Sequence, residues 1–354
     1  MELAATSVIA GDRSHRARRL TWILLLLLVA SCLFSLAVGA SGTSLWQGLL
    51  DMALGREMAL HERVVLFEIR APRTVIGALV GAGLAVSGAI LQGLFRNPLA
   101  DPGLVGVSAG ASLGALSAIL LGGMLPASLA AIAGVYLVPL AAFVGGWSTT
   151  MTLYSIATRR GQTSVATMLL AGIALSALAM ALTGLLFYFA DDAQLRDMTF
   201  WSLGSLGGAT WGKVAAVAPL MLVAMAAAPF LARGLNGLAL GEAAASHIGI
   251  PVQRLKHLSI LTVAVATGAG VAVSGGIAFI GIVVPHLLRL LVGPDHRYLL
   301  LNSALLGAAL LLVADVLSRL IIAPAELPIG IVTALVGGPF FLWILLRQRG
   351  VLDL

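Results

Sequence analysis

Long apolar runs enriched in small residues alternate with short polar or charged breaks along nearly the whole chain. Ten runs stand out, at 20–40, 72–95, 103–121, 127–158, 165–190, 211–231, 257–273, 277–292, 299–322 and 327–346. A helix needs about 20 apolar residues to cross a bilayer. Inside lipid the backbone must satisfy its own polar groups, which makes helix the only open-ended solution. The pattern therefore predicts an all-α polytopic membrane protein of ten transmembrane helices. An even number of spans puts both termini on one side.

Composition agrees. Of 354 residues, 60% are apolar and 10% charged, against roughly 25% charged in an ordinary soluble domain. So few charges cannot cover a water-soluble surface, and disorder needs the opposite balance. The lone cysteine, Cys32, lies within the first run and reads as a packing residue. No linker or separate soluble domain interrupts the pattern. The chain reads as one domain over 1–354, with a tail at 1–19, a core at 20–348 and a polar loop at 232–256. The other long polar stretch is 42–71.

The net charge of +6 does not point to nucleic acid, because the cations fall in alternate breaks. Arg13, Arg16, Arg18, Arg19, Arg96, Arg159, Arg160, Arg233, Arg254, Lys256, Arg297, Arg347 and Arg349 fall on one side. The other side has Arg56, Arg63, Arg70, Arg73, Arg196 and Lys213, diluted by seven carboxylates. Lys and Arg accumulate in cytoplasmic loops, so the termini are expected in the cytoplasm. The basic start and the small residues Ala37 and Gly39 also resemble a signal peptide, but the first run is longer than such a segment needs.

The stretch 81–90 reads GAGLAVSGAI and 268–277 reads GAGVAVSGGI. The two fall in spans expected to run in opposite directions, an inverted repeat of the kind from which transporters are built.

Few residues suggest chemistry. The stretch 207–214, GGATWGKV, nearly matches a phosphate-binding loop, but Val214 stands where a hydroxyl is needed and no strand precedes it. We read no nucleotide site, so any ATP dependence must come from a partner. The six histidines, with a single cysteine, form no metal-ligand spacing. Span centres are nearly free of ionisable groups, which speaks against an ion-coupled transporter or an intramembrane enzyme. Asp315 and Arg319, at i,i+4 on one face, either neutralise each other in lipid or present charge to a partner. Gly77 and Gly81, and Gly106, Gly110 and Gly114, have the spacing that lets helices pack closely. The loop stretch 239–250, ALGEAAASHIGI, either docks in a groove on a soluble partner or lies on the membrane.

Taken together, several stretches resemble the permease family of bacterial importers for ferric siderophores, haem and cobalamin, the type II ABC importers. They are RAPR at 70–73, LQGLFRNPLADPGLVGVSAGA at 91–111, LGEAAASHIG at 240–249, GGIAFIGIVVPHLLRLLVGPDHR at 275–297 and ADVLSRLIIAPAELPIGIVTALVGGPFF at 314–341. The resemblance implies a homodimer of ten-helix subunits in the bacterial inner membrane. It also implies two cytoplasmic ATP-binding subunits, one periplasmic substrate-binding protein, no resident cofactor and no enzymatic activity of the permease itself. Arg70, Arg73 and Arg319 match arginines that meet acidic residues of the binding protein. Asn97 and Leu99 match one layer of a cytoplasmic gate, and Thr163 and Ser164 another. Leu240, Gly241, Glu242, Ala243, Ser246 and Gly249 match the segment that sits in the ATPase cleft. The stretch 190–211 resembles the haem branch most, so haem is the expected cargo, with a ferric siderophore or cobalamin as alternatives. His286 and His296 lie in motifs shared across substrates and read as structural; His61, His247 and His257 stay open as haem ligands.

Overall fold

In a computed structural model, which describes residues 13–39, 54, 56, 58–126, 128, 134–160 and 162–352, the apolar runs have become helices. In chain order they are α1 (Ser14–Ala37), α2 (Leu60–Leu94), α3 (Val107–Leu121), α4 (Leu137–Ala157) and α5 (Val165–Phe189). Then come α6 (Asp192–Ser202), α7 (Trp211–Leu238), α8 (Glu242–His247), α9 (Val252–Ser274), α10 (Ile280–Val292), α11 (His296–Leu320) and α12 (Ile329–Leu352). Among the described residues the only β-structure is a hairpin of β1 (Thr158–Arg159) and β2 (Gln162–Thr163).

Among the described residues seven helices are long and apolar enough to cross a membrane: α1, α2, α3 with its continuation to Met124, α5, α7, α9 and α11. The other three expected spans correspond to α4, α10 and the apolar Ile329–Trp343 part of α12. Residues 127 and 129–133 of the fourth run lie outside the described residues, as do 40, 41 and, in the polar stretch, 42–53, 55 and 57. α10 is shorter than its apolar run because Gly275 (φ 68°) and Phe279 (φ 70°) are left-handed and hold the chain out of helix. At about 1.5 Å per residue its 13 residues fall well short of the bilayer.

The expected loop at 42–71 needs correction, since helix begins at Leu60 and runs without a break into the span. The segment Val64–Arg70 is π-helical, and Ala71–Leu94 continues as α-helix. The wider turn sits directly before Pro72, whose ring removes a backbone donor and crowds the preceding turn. α6 has a local sequence signal: Asp191 accepts from the Gln194 N–H at 2.8 Å, and the Gln194 side chain accepts from the Asp191 N–H at 3.1 Å. This is the reciprocal capping box.

α2 is the centre of the protein, buried on nearly every side from Pro72 to Leu94. It packs on α7, α9, α10 and α11. Glycines make this possible. A Cβ on Gly81 would strike the Gly307 carbonyl of α11, and one on Gly88 would strike the Gly281 backbone of α10. The series in α3 works the same way, with Gly110 and Gly114 against Gly145 and Ala141 of α4.

The repeated stretches lie in α2 and α9. Val80 packs near Gly270 and Gly83 near Ala266, so the two helices run antiparallel. The copies differ where the motif ends. Ser87 and Gly88 stay inside α2, whereas Ser274 is the last residue of α9 and Gly275 turns the chain out.

Outward faces are apolar. α1 buries only Ala17, Leu24, Ser31 and Ser35, a stripe of roughly seven-residue spacing laid against α11.

Candidate functional site

Two groups of polar residues lie at opposite ends of the bundle. The first surrounds the C-terminal turn of α1. A helix end leaves four carbonyls without partners, and here arginines satisfy them. Arg70 Nη1 donates to the carbonyls of Leu36 (2.8 Å) and Ala37 (3.1 Å). Arg319 Nη1 donates to those of Val38 (3.0 Å) and Ser35 (3.3 Å), and its Nη2 to Ser35 Oγ (3.2 Å). Cations at this end also suit the helix dipole.

Asp315 joins this group to Arg73. Arg73 grips it with Nε at 3.0 and 3.1 Å from its two oxygens and Nη2 at 2.9 Å. The remaining Arg73 nitrogen, Nη1, donates to both oxygens of Glu326 at 2.8 and 3.0 Å. Arg319 Nη2 reaches Asp315 at 3.1 Å. The i,i+4 pair foreseen in the sequence thus exists, but the stronger partner of Asp315 is Arg73 on α2. Arg70, Arg73, Asp315 and Arg319 are all buried. Glu326 is the accessible member, its side chain 42% exposed. The three arginines expected to meet a binding protein are therefore together at one end, each engaged within the chain. Glu326 carried no sequence signal, being one carboxylate in a loop.

The phosphate-loop resemblance dissolves. Thr210 caps α7 by accepting the Lys213 N–H at 3.3 Å, and Lys213 Nζ folds back to the Gly208 carbonyl at 2.7 Å. Among the described residues no strand leads into it.

The second group lies at the end that carries Arg13. After α2 the chain turns through Arg96 (φ 49°), and Asn97 Oδ1 accepts the Leu99 N–H at 2.9 Å. Asn97 and Leu99 are half-buried. In the hairpin, Thr163 is buried and its Oγ1 meets Thr158 Oγ1 at 2.9 Å. Ser164 caps α5 by accepting the Thr167 N–H at 3.3 Å.

α8 follows α7 at this same end. It is set between two left-handed glycines, Gly241 (φ 105°) and Gly249 (φ 84°). Ala245 holds it inward, while Ala243 and Ser246 are exposed. Leu240 is 71% exposed and Ile248 63% exposed. Exposed apolar side chains on either side of a short helix suit a groove on another protein. Glu242 opens α8 and pairs with Lys256 Nζ at 2.7 Å.

Lys256, a loop cation by the apolar pattern, is 2% exposed and sits inside the first turns of α9. Nothing in its local sequence marked it, because its partners come from β2 and α8. The loop residue Asp295 caps α11 by accepting the Arg297 N–H at 3.0 Å and receives the Asn236 amide at 2.7 Å. Among the described residues no group of histidine, cysteine and carboxylate side chains could hold a metal ion. His61, His247 and His257 are exposed and scattered, and His257 stacks edge-on with Tyr154.

Comparison with known proteins follows the same lines. The model of the FecCD transport family matches residues 24–347. The chain is 44% identical over 335 residues to the hemin transport system permease protein HmuU of Yersinia pestis, covering 94% of this chain and 96% of that one. It is 45% identical over 289 residues to the cobalamin import system permease protein BtuC of Halobacterium salinarum, covering 82% and 75%. With the vitamin B12 import system permease protein BtuC of Salmonella typhi it shares 39% over 346 residues, 95% and 98% of the two chains. Among solved structures it resembles an inward-facing metal-chelate type ABC transporter, with a TM-score of 0.81 at 32% identity, covering 93% of this chain and 99% of that one.

Proposed function

The chain belongs to the FecCD transport family, and from that premise we propose that it is the permease carrying haem from periplasm to cytoplasm. Its place as a membrane permease of an ABC importer follows from the family, in which ATPase activity resides in a separate subunit. The protein is accordingly not an enzyme. Ten spans, a homodimer, cytoplasmic termini and a periplasmic binding protein belong to this reading. Haem is favoured by near full-length similarity to a hemin permease together with the character of 190–211. Cobalamin is the second reading, because the cobalamin permeases match almost as well.

The observation that carries the mechanism is α8. A short helix set between Gly241 and Gly249, flanked by the exposed apolar side chains of Leu240 and Ile248, offers the ATPase a compact knob to grip. In this reading the ATPase grips 240–249, and ATP binding and hydrolysis drive the gate residues Asn97, Leu99, Thr163 and Ser164 between open and closed. The opposite end, where Arg70, Arg73 and Arg319 gather, is the docking face for the binding protein. Direct pairing there requires the arginines to exchange internal partners for external carboxylates.

The test is transport by the complete complex in proteoliposomes, with haem, a ferric siderophore and cobalamin supplied in parallel through the binding protein. ATP-dependent uptake of haem alone is expected. Preference for cobalamin would replace the cargo, and uptake driven by an ion gradient without ATP would remove the mechanism.

A further inference from the structure

The proposed gate and the proposed ATPase-gripped helix are joined by a side chain that belongs to neither. Thr163 belongs to a two-residue strand, so its outer edge has no neighbouring strand to complete its pairing. α9 supplies the missing partners. Gln253 Oε1 accepts the Thr163 N–H at 2.8 Å, and Lys256 Nζ donates to the Thr163 carbonyl at 2.7 Å. Gln253 and Lys256 are three apart and so share one face of α9. Both backbone groups of Thr163 are thus held by side chains from about 90 residues further along the chain.

Lys256 does more than complete the strand. Its ammonium also pairs with Glu242 Oε1 at 2.7 Å. Among the described residues this is the only ion pair leaving α8. The ammonium is buried while the Glu242 side chain is 43% exposed, so the link runs from an accessible helix to an enclosed gate. Beside it lies a cavity of about 530 Å³ lined by Arg159, Gln162, Thr163, Ser164, Glu242 and Gln253. That space gives Glu242 and the hairpin room to move. α8 lies between Gly241 and Gly249, whereas Ser164, directly after Thr163, caps α5. A displacement of α8 that keeps Glu242 and Lys256 paired therefore pulls on the Thr163 carbonyl and on the first turn of α5.

We propose that Lys256 is the positioning residue that transmits movement of α8 to the Thr163–Ser164 gate. The inference rests on the functional reading above and adds the route. A buried charge-assisted contact suits this task because it is short, directional and costly to leave half-made.

Two measurements test it. In the reconstituted complex, Lys256→Met should lower cargo moved per ATP hydrolysed about tenfold, the scale of one charge-assisted hydrogen bond, with the ATPase rate largely kept. Lys256→Arg, which can still donate to both acceptors, should restore the ratio. Glu242→Ala combined with Lys256→Met should lose no more than Lys256→Met alone. In the purified permease without partners, Lys256→Met should speed amide exchange at residues 163–168 while leaving α11 unchanged. An unchanged ratio, a parallel loss of ATPase and transport, or unchanged exchange at 163–168 would each overturn the link. A wild-type complex that moves nothing with ATP would fell the functional reading instead, and exchange would still decide the link.

Discussion

Arg73 and Asp315, 242 residues apart, meet in a pair whose three hydrogen bonds measure 2.9 to 3.1 Å. The contact fastens α2 to α11 at the end where the same guanidinium also holds Glu326 and where Arg319 shares the carboxylate. Three guanidiniums and two carboxylates, with the last carbonyls of α1, form one connected network.

Breaking that network should be expensive at its centre and cheap at its rim. Removing one member of a buried pair strands the other, at about 3–5 kcal/mol. Asp315→Asn, which deprives both Arg73 and Arg319, should lower the thermal unfolding temperature of the purified protein more than Glu326→Gln. The latter side chain is 42% exposed, and its loss should cost less than about 1 kcal/mol. Equal shifts would mean the cluster is not a connected unit.

Glu326 also offers the better probe of docking. Charge reversal at Arg70 or Arg319 would set a carboxylate against the α1 carbonyls and disturb the fold itself. Glu326→Gln instead removes the internal negative charge that competes for Arg73. If acidic groups of the binding protein seek these arginines, association at low salt should become a few-fold faster, and the gain should fade as salt rises. Slower or unchanged association would remove the assignment of Arg70, Arg73 and Arg319 to docking.

The glycine seams make a separate prediction. Gly81→Ala would drive a methyl into the Gly307 backbone, where neither helix can yield cheaply, and should destabilise by about 2 kcal/mol or more. Gly184 on α5 has nothing within 4 Å of a built Cβ. Gly184→Ala should be neutral or stabilising by up to about 1 kcal/mol through helix propensity. Thermal unfolding of both variants in one detergent checks the contrast.

Acid should weaken the start of α11. Burial alone would raise the Asp295 carboxyl, but hydrogen bonds from Arg297 and Asn236 outweigh it and hold the group below its ordinary value. A depressed carboxylate stabilises above its unfolded pKa, about 3.9, and that contribution is lost as pH falls through the folded value. Arg297 is exposed, so the effect should stay below about 1 kcal/mol. Stability measured between pH 5 and 3 should fall less steeply in Asp295→Asn, which can still cap the helix.

The all-helical class and the order of the long apolar helices were legible in the sequence because each depends on neighbours a few residues away. Apolar length sets a span, and i,i+4 spacing paired Asp315 with Arg319. The reciprocal box at Asp191 and Gln194 is equally local. What the tertiary structure decided is which distant groups meet. Arg73 finds Asp315 and Glu326, arginines close the end of α1, and Lys256 enters the protein between Glu242 and Thr163. No local pattern encodes these meetings, since a buried charge takes whatever partner helix packing brings within reach, and glycines such as Gly81 and Gly307 determine how near that packing comes.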